Sequence, residues 1–412
     1  MGGAHRGARR DRAVKDETRI IRAGADPKPL ARTVNPPIQR ASTVLLPNAA
    51  SLYAPGQVSY GRDSLAVRDA LSQAISEMEG AAGTKLFPSG LAAMTGTLLA
   101  LLKAGDEVLV CQHVYRPTRK FCDRVLKRFG IGVAYYRQTL PAAEIMALAT
   151  EKTRVIVLES PGSLSFEMQD VAAIAAAARE RGILTVMDNT WGAGLLFKPI
   201  AHGVDVSCQA LTKYVGGHSD VFMGSAAARD PAMLKLLDAA MHEVGWSVSP
   251  EDAYLMLRGL RTLPTRLKRH GDSGIQVAEW LRQQPEVREV IHPALPGARG
   301  HEIWARDYTG ACGLFGFVLH PAPESAVEAF LDALTLFGLG FSWGGHESLA
   351  IHCDPQRRTG AVLDDYGGPL LRLHIGLEDP GDLIADLERG LEAFKTSRNQ
   401  SQGGPAVSGG PP

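Results

Sequence analysis

Three short stretches of this 412-residue chain carry side chains able to do chemistry. In "SCQALTKYVGGHSD" a lysine, Lys213, follows an apolar run and is itself followed by two glycines. In "ILTVMDNTW" an aspartate, Asp188, ends a run of apolar or small residues. In "FPSGLAAM" Ser89 and Gly90 stand ahead of a long apolar stretch. A carboxylate at the end of a buried run is costly unless a cation pairs with it. A free lysine has a pKa of about 10.4; in an apolar pocket it sheds its proton more readily and becomes a nucleophile or base. Backbone N–H groups at a helix N-terminus, beside a residue with no side chain, suit a phosphate dianion.

One cofactor meets all three demands. Pyridoxal phosphate (PLP) offers an aldehyde to a lysine, a pyridine nitrogen that an aspartate can keep protonated, and a phosphate. On that reading Lys213 is the anchor and Asp188 the ring partner. Gly90 opens the phosphate turn, and Thr212 adds a hydroxyl. Each piece alone is weak. A lysine after a strand is ordinarily a solvated charge, Asp-Asn after a strand more often opens a turn, and Ser-Gly before a helix is more often a plain cap. What singles these out is their order: phosphate turn, buried acid, then lysine, each at a separate strand–helix junction.

The elements around them set the frame. From residue 64 the sequence alternates helix and strand. "SLAVRDALSQAISEMEG" has apolar residues at Val67, Leu71, Ile75 and Met78, with Gly80 as a stop. "DEVLVC", "RVIVLES" and "ILTVMDN" read as continuous apolar strands, separated by helical stretches such as "DVAAIAAAARERG". That pattern predicts an α/β fold with a mostly parallel sheet covered on both faces, whose ligands sit at the carboxyl ends of the strands. Past about residue 245 the character changes to a long helix, with a kink expected at Pro264, followed by alternating "GLFGFVLH" and "LLRLHIG" and a terminal amphipathic helix. The expected division is an arm over 1–63, with 1–16 disordered, a large domain over 64–258, a smaller α+β domain over 259–396, and a Gly/Pro/Ser-rich disordered tail over 397–412.

Composition narrows the classes. Apolar residues make up 45% and charged residues 21%, as in a globular protein. Lys+Arg 44 balances Asp+Glu 44, which argues against a nucleic-acid partner. No apolar run reaches the ~18 residues a membrane span needs. The basic start lacks the apolar core of a secretory signal, and Arg6 breaks a myristoylation pattern. The five cysteines, at 111, 122, 208, 312 and 353, show no CxxC spacing. They are read as free thiols in a reducing cytoplasm rather than as a disulfide or metal framework. No Gly-rich nucleotide fingerprint is present, which disfavours a NAD-dependent oxidoreductase.

The stretches "SYGRDSLAVRDAL", "PSGLAAM", "VYRPTRKFCD", "ESPGSLSFEMQD", "MDNTWGAGLLFKP", "QALTKYVGGHSD", "RGLRTLPTRL", "HPALPG", "SWGGHESL" and "RLHIGLEDPGDLIADL" resemble the Cys/Met-metabolism (trans-sulfuration) family of fold-type I PLP enzymes. The likeness runs from about residue 16 to 395. It implies a PLP-dependent transferase fold with a seven-stranded sheet in the large domain. It also implies roles. Lys213 carries the Schiff base and shuttles protons, Asp188 pairs with the ring nitrogen, and Tyr115 stacks on the ring. Gly90, Leu91 and Thr212 bind the phosphate, with Tyr60 and Arg62 reaching it from a neighbouring subunit. Arg372 clamps the substrate carboxylate, with Ser342 and Asn189 alongside, and Trp343 shapes the pocket. The implied assembly is a dimer that shares active sites, paired into a tetramer. One departure stands out: many members place serine three residues before the lysine, where this chain has Ala210.

The resemblance further implies a carbon–sulfur lyase acting on a small amino acid. The expected reaction is β-elimination of L-cystathionine to homocysteine, pyruvate and ammonia, with cysteine S-conjugates as further substrates. "SWGG" and "RLHIGLED" are similar to the β-eliminating members. A γ-eliminating or γ-replacing enzyme of the same family is the alternative, since one scaffold hosts both. A catalytically dead binding relative is the rival from another class, but Lys213, Asp188 and Arg372 are all present.

Overall fold

The apolar runs of the first half become strands of one sheet. The computed structural model describes residues 15–24, 34–357 and 365–402; the disorder expected before residue 15 and beyond 402 falls outside these. The large sheet contains β1 (Gly83–Phe87), β2 (Glu107–Cys111), β3 (Gly132–Tyr136), β4 (Thr153–Glu159), β5 (Leu184–Asp188), β6 (Val206–Ala210) and β7 (Gly224–Ala228). Their order is β1-β7-β6-β5-β4-β2-β3, and β7 alone runs antiparallel to its neighbours. The mostly parallel seven-stranded sheet is thus present. β1, "GTKLF", is an edge strand that the sequence reading passed over.

The helices of this half are α1 (Asp16–Arg22), α2 (Ala66–Glu79), α3 (Gly90–Leu101), α4 (Arg116–Phe121), α5 (Ala142–Leu148), α6 (Val171–Glu180) and α7 (Pro231–Val244). The periodic face of α2 behaves as its spacing predicts: Val67, Leu71 and Ile75 are wholly buried. Gly80 closes that helix in the left-handed region, at φ 68°, a conformation glycine adopts without a Cβ clash. The helical stretch from Arg116 to Phe129 is irregular. Behind α4 lie a π turn (Cys122–Leu126) and a 3-10 turn (Lys127–Phe129).

The second half builds a five-stranded sheet from β8 (Val287–Ile291), β9 (Leu314–Leu319), β10 (Gly338–Leu339), β11 (Leu349–His352) and β12 (Leu370–His374), in the order β10-β11-β12-β9-β8. Its helices are α8 (Pro250–Leu281), α9 (His301–Asp307), α10 (Glu324–Asp332), α11 (Asp354–Arg357) and α12 (Pro380–Gln402). The last helix runs to Gln402, so the tail expected to be disordered from 397 is helical for its first residues. α8 spans 32 residues and continues through Pro264. Proline removes one helical donor. Nearby, the Gly259 carbonyl accepts from the Thr262 hydroxyl at 3.1 Å and from Arg266 at 2.8 Å. Met256, Leu260, Leu263 and Leu267 of α8 pack into the core of the large sheet. Val277, Ala278 and Leu281 pack into the core of the small one. The expected domain boundary at 258/259 therefore falls inside a continuous helix. No helix among the described residues is long and apolar enough to cross a membrane. All five cysteines are buried free thiols.

Candidate active site

β4, β5 and β6 lie side by side and parallel, so their ends deliver Glu159, Asp188 and the Ala210–Lys213 turn to one place. There a cavity of about 310 Å³ is walled by these residues, the start of α3, Tyr115, and a loop from the second sheet carrying Phe341, Ser342 and Trp343. Arg372, on β12, closes the far side. Of the residues singled out from sequence, Gly90, Leu91, Tyr115, Asp188, Thr212, Lys213, Ser342, Trp343 and Arg372 all line this cavity.

The Lys213 ammonium donates to Ser342 Oγ at 2.8 Å and lies 5.3 Å from the centroid of the Trp343 ring. Burial and the nearby Arg372 guanidinium bring its pKa down to about 8, against the opposing pull of Asp188. The loop approaches this closely because Gly344 follows Trp343. Gly344 sits at φ +83°, and a Cβ there would fall 2.8 Å from Tyr214 N and 3.0 Å from Lys213 Cα.

Asp188 has one oxygen spoken for. Oδ1 accepts from Thr190 N at 3.0 Å and from the Thr190 hydroxyl at 2.5 Å. Oδ2 has no donor among the described residues, and the side chain lines the cavity. Burial raises the Asp188 pKa in spite of Thr190 and Lys213. Its partner in register on β4, Glu159, accepts from Tyr115 N at 2.7 Å. Burial and the proximity of Asp188 push Glu159 well above the usual carboxylate range. Asp188, half-buried beside the buried Glu159, thus turns an unpaired oxygen to the cavity. A protonated pyridine nitrogen fits there.

At the head of α3, Ser89 Oγ accepts from Ala92 N at 3.1 Å. The N–H groups of Gly90 and Leu91, which a helix cannot satisfy internally, have no acceptor among the described residues and border the cavity. They fit a phosphate. The reason for glycine at 90 differs from the sequence expectation of an unblocked approach. A Cβ there would meet Ala210 Cβ at 2.3 Å, so glycine is needed to seat α3 against β6. Ala210, the departure from the family pattern, fills that space. Thr212 is engaged elsewhere: its hydroxyl donates to Met223 O at 3.1 Å and accepts from Met223 N at 3.0 Å.

Three residues do not join the cavity. Asn189 was expected beside Arg372, but it is wholly buried behind the strand end and donates to Phe197 O at 3.0 Å. Period-two alternation explains this, because the residue after an inward-facing Asp188 points to the opposite side. Tyr60 and Arg62 lie on an exposed segment outside the cavity, with the Arg62 guanidinium 5.3 Å from the Tyr60 ring centroid. Glu159 and Thr190 are site residues whose roles the sequence reading missed. The signal for Glu159 was its position at the end of an adjacent strand; that for Thr190 was a hydroxyl two residues after an aspartate, the spacing of a local turn.

Arg372 is 6% exposed. It donates to Phe341 O at 2.9 Å and Ser342 O at 3.1 Å, which ties the loop to β12. Tyr115 keeps its proton well past neutral pH, its pKa raised by burial and by Asp188 and Glu159.

A family model described as "Cys/Met metabolism PLP-dependent enzyme" matches residues 17–392. The chain belongs to that family. It is 42% identical over 391 residues to the cystathionine beta-lyase MetC of Escherichia coli strain K12, covering 92% of this chain and 98% of the relative. It is also 36% identical over 395 residues to the L-alanine/L-glutamate racemase of Wolbachia pipientis wMel, covering 92% and 97%. Among solved structures it resembles a cystathionine gamma synthase from Xanthomonas oryzae pv. oryzae, with a TM-score of 0.86 and 32% identity over 93% of this chain and 99% of that one. As a member of the Cys/Met-metabolism family the protein is an enzyme whose cofactor is PLP, acting in sulfur amino-acid metabolism. Within this chain, Lys213, Asp188 and the α3 N-terminus are the groups that fit it.

Proposed function

We propose that this enzyme catalyses β-elimination of L-cystathionine, consuming one water and releasing homocysteine, pyruvate and ammonia, and that it accepts other cysteine S-conjugates. The observation that carries the reading is the roof over Lys213. Ser342 and Trp343 hold the amine on one side, and Arg372 anchors the same loop. The likeness to an enzyme named cystathionine beta-lyase supports it.

When bound, PLP supplies an electron sink for the charge left at the substrate Cα. The remaining work falls to the chain. Arg372 holds the substrate carboxylate through its planar guanidinium. Lys213, with a pKa of about 8, takes the Cα proton as a base near neutral pH. Asp188 would hold the proton on the ring nitrogen through its unused oxygen. Tyr115, protonated at neutral pH, would lie against the cofactor ring and pass a proton toward the leaving sulfur. Trp343 restricts the pocket so that Cβ, not Cγ, lies over the base. The Tyr60–Arg62 segment, exposed and away from its own cavity, serves the phosphate of a neighbouring subunit in a dimer that pairs into a tetramer.

Purified protein incubated with L-cystathionine tests the reading through the keto acid formed. Pyruvate supports it. 2-Oxobutyrate moves the activity to γ-elimination, the second reading, which the likeness to a gamma synthase favours.

A further inference from the structure

Beside the PLP cavity lies a second, larger one of about 610 Å³. The two share Tyr115, Ser163, Phe341 and Arg372 as walls. The two cavities therefore meet at Arg372 and Tyr115. The outer wall comes from α4 and the turns behind it, and it is strongly cationic. Arg116, Arg119, Lys120 and Arg124 all line it. Arg119 lies flat on Tyr135, its guanidinium 3.6 Å from the ring centroid, and makes no ion pair among the described residues. Arg116, Lys120 and Arg124 have no acidic partner among the described residues. Among the described residues the one carboxylate in that wall is Asp123, which Lys127 holds at 2.9 Å.

We propose that this vestibule is the leaving-group subsite, and that it selects cysteine S-conjugates whose departing thiol ends in a carboxylate with no accompanying ammonium. The inference rests on the β-elimination reading. The physical argument is the sign and number of the charges. Several cations around one semi-enclosed volume raise the local potential more than any single exposed pair would, and salt weakens the effect. A distal carboxylate gains from that potential. A distal ammonium, such as cystathionine carries beside its carboxylate, loses by it. An uncharged alkyl group is indifferent.

The test uses the PLP-loaded enzyme and three substrates: S-(2-carboxyethyl)-L-cysteine, S-propyl-L-cysteine and L-cystathionine. Pyruvate formation gives kcat/KM for each, and calorimetric titration gives each affinity. At low ionic strength the acid-ended conjugate should exceed the propyl compound by about tenfold in both quantities, and should exceed cystathionine as well. The preference should shrink several-fold in roughly 0.5 M salt, where the screening length is only a few ångströms. Lys120→Glu should shrink it too, and the salt series on unaltered enzyme needs no variant to fold. Ratios within about twofold at low salt, unmoved by salt and by the variant, overturn the proposal. If no substrate yields pyruvate, the β-elimination reading fails, while the affinity ratios still decide the vestibule.

Discussion

Lys213 on the large sheet donates its Nζ hydrogen bond to Ser342 Oγ on the small one, at 2.8 Å across 129 residues of chain. The nucleophile and the loop that roofs it therefore come from different cores and meet at the seam. Everything the site does depends on how that seam sets the charge of one amine.

The charge should be measurable directly. The rate at which cofactor-free protein captures PLP, followed by absorbance, should rise with pH and level off near 8, because the neutral amine is the reacting form and its pKa is about 8. Arg372 lowers that pKa and Asp188 raises it. Arg372→Leu should therefore move the plateau to higher pH, and Asp188→Asn to lower pH. A plateau near the value of about 10.4 for free lysine in unaltered protein would contradict the geometry.

Loss of the amine should abolish both colour and turnover. Lys213→Ala should lack the yellow chromophore that borohydride bleaches in the parent protein. Its kcat should fall by at least about 10²–10⁴, the usual worth of one positioned base. Arg372→Lys should act differently: the chromophore persists, and KM rises by roughly ten- to a hundredfold as a charged hydrogen bond is lost.

A proton should be held behind the site. Glu79 on α2 is buried, and its Oε1 accepts from Ser207 at 3.0 Å and from Gln209. Its Oε2 is a buried acceptor without a donor among the described residues, and burial outweighs the opposing effects of Gln209, Ser207 and Asn189. A protonated Glu79 removes the cost of a buried charge there. Burial raises its pKa to about 7, above the unfolded value of about 4.3. The folded state thus holds an extra proton on Glu79, and this contribution to stability fades as pH rises through about 7. Melting curves between pH 5 and 8 should show unaltered protein losing stability relative to Glu79→Gln, whose amide is neutral at every pH. Parallel curves would remove the extra proton.

The roof should fail without its glycine. Gly344→Ala places a Cβ 2.8 Å from Tyr214 N in a left-handed conformation. The fold, held by two large cores, should survive by circular dichroism. The loop bearing Ser342 and Trp343 should lift away from Lys213, and kcat/KM should drop at least about tenfold. Activity equal to the parent would show that the close approach is not needed.

The parallel sheet was legible because its strands are continuous apolar runs ending in polar residues, and Asp188 and Lys213 could be found by that rule. β1 escaped because "GTKLF" carries a lysine and starts on glycine, and it is an edge strand whose apolar signal is diluted. Asn189 was misplaced because its neighbour in sequence is its opposite in space. Arg116, Lys120 and Arg124 carry no signal of their own in the sequence; Phe341 and Arg372, which complete that cavity wall, arrive from more than 210 residues downstream. The charge state of Glu79 was invisible for the same reason, since its partners Ser207 and Gln209 come from β6.

α8 threads both cores without a break. Cutting the gene at the seam would sever a rod, leaving each fragment with a raw apolar stripe. Neither half should fold as an independent unit, so deletion mapping is a poor tool for this enzyme. Complementation between separately expressed fragments should be sought only at exposed loops away from that rod.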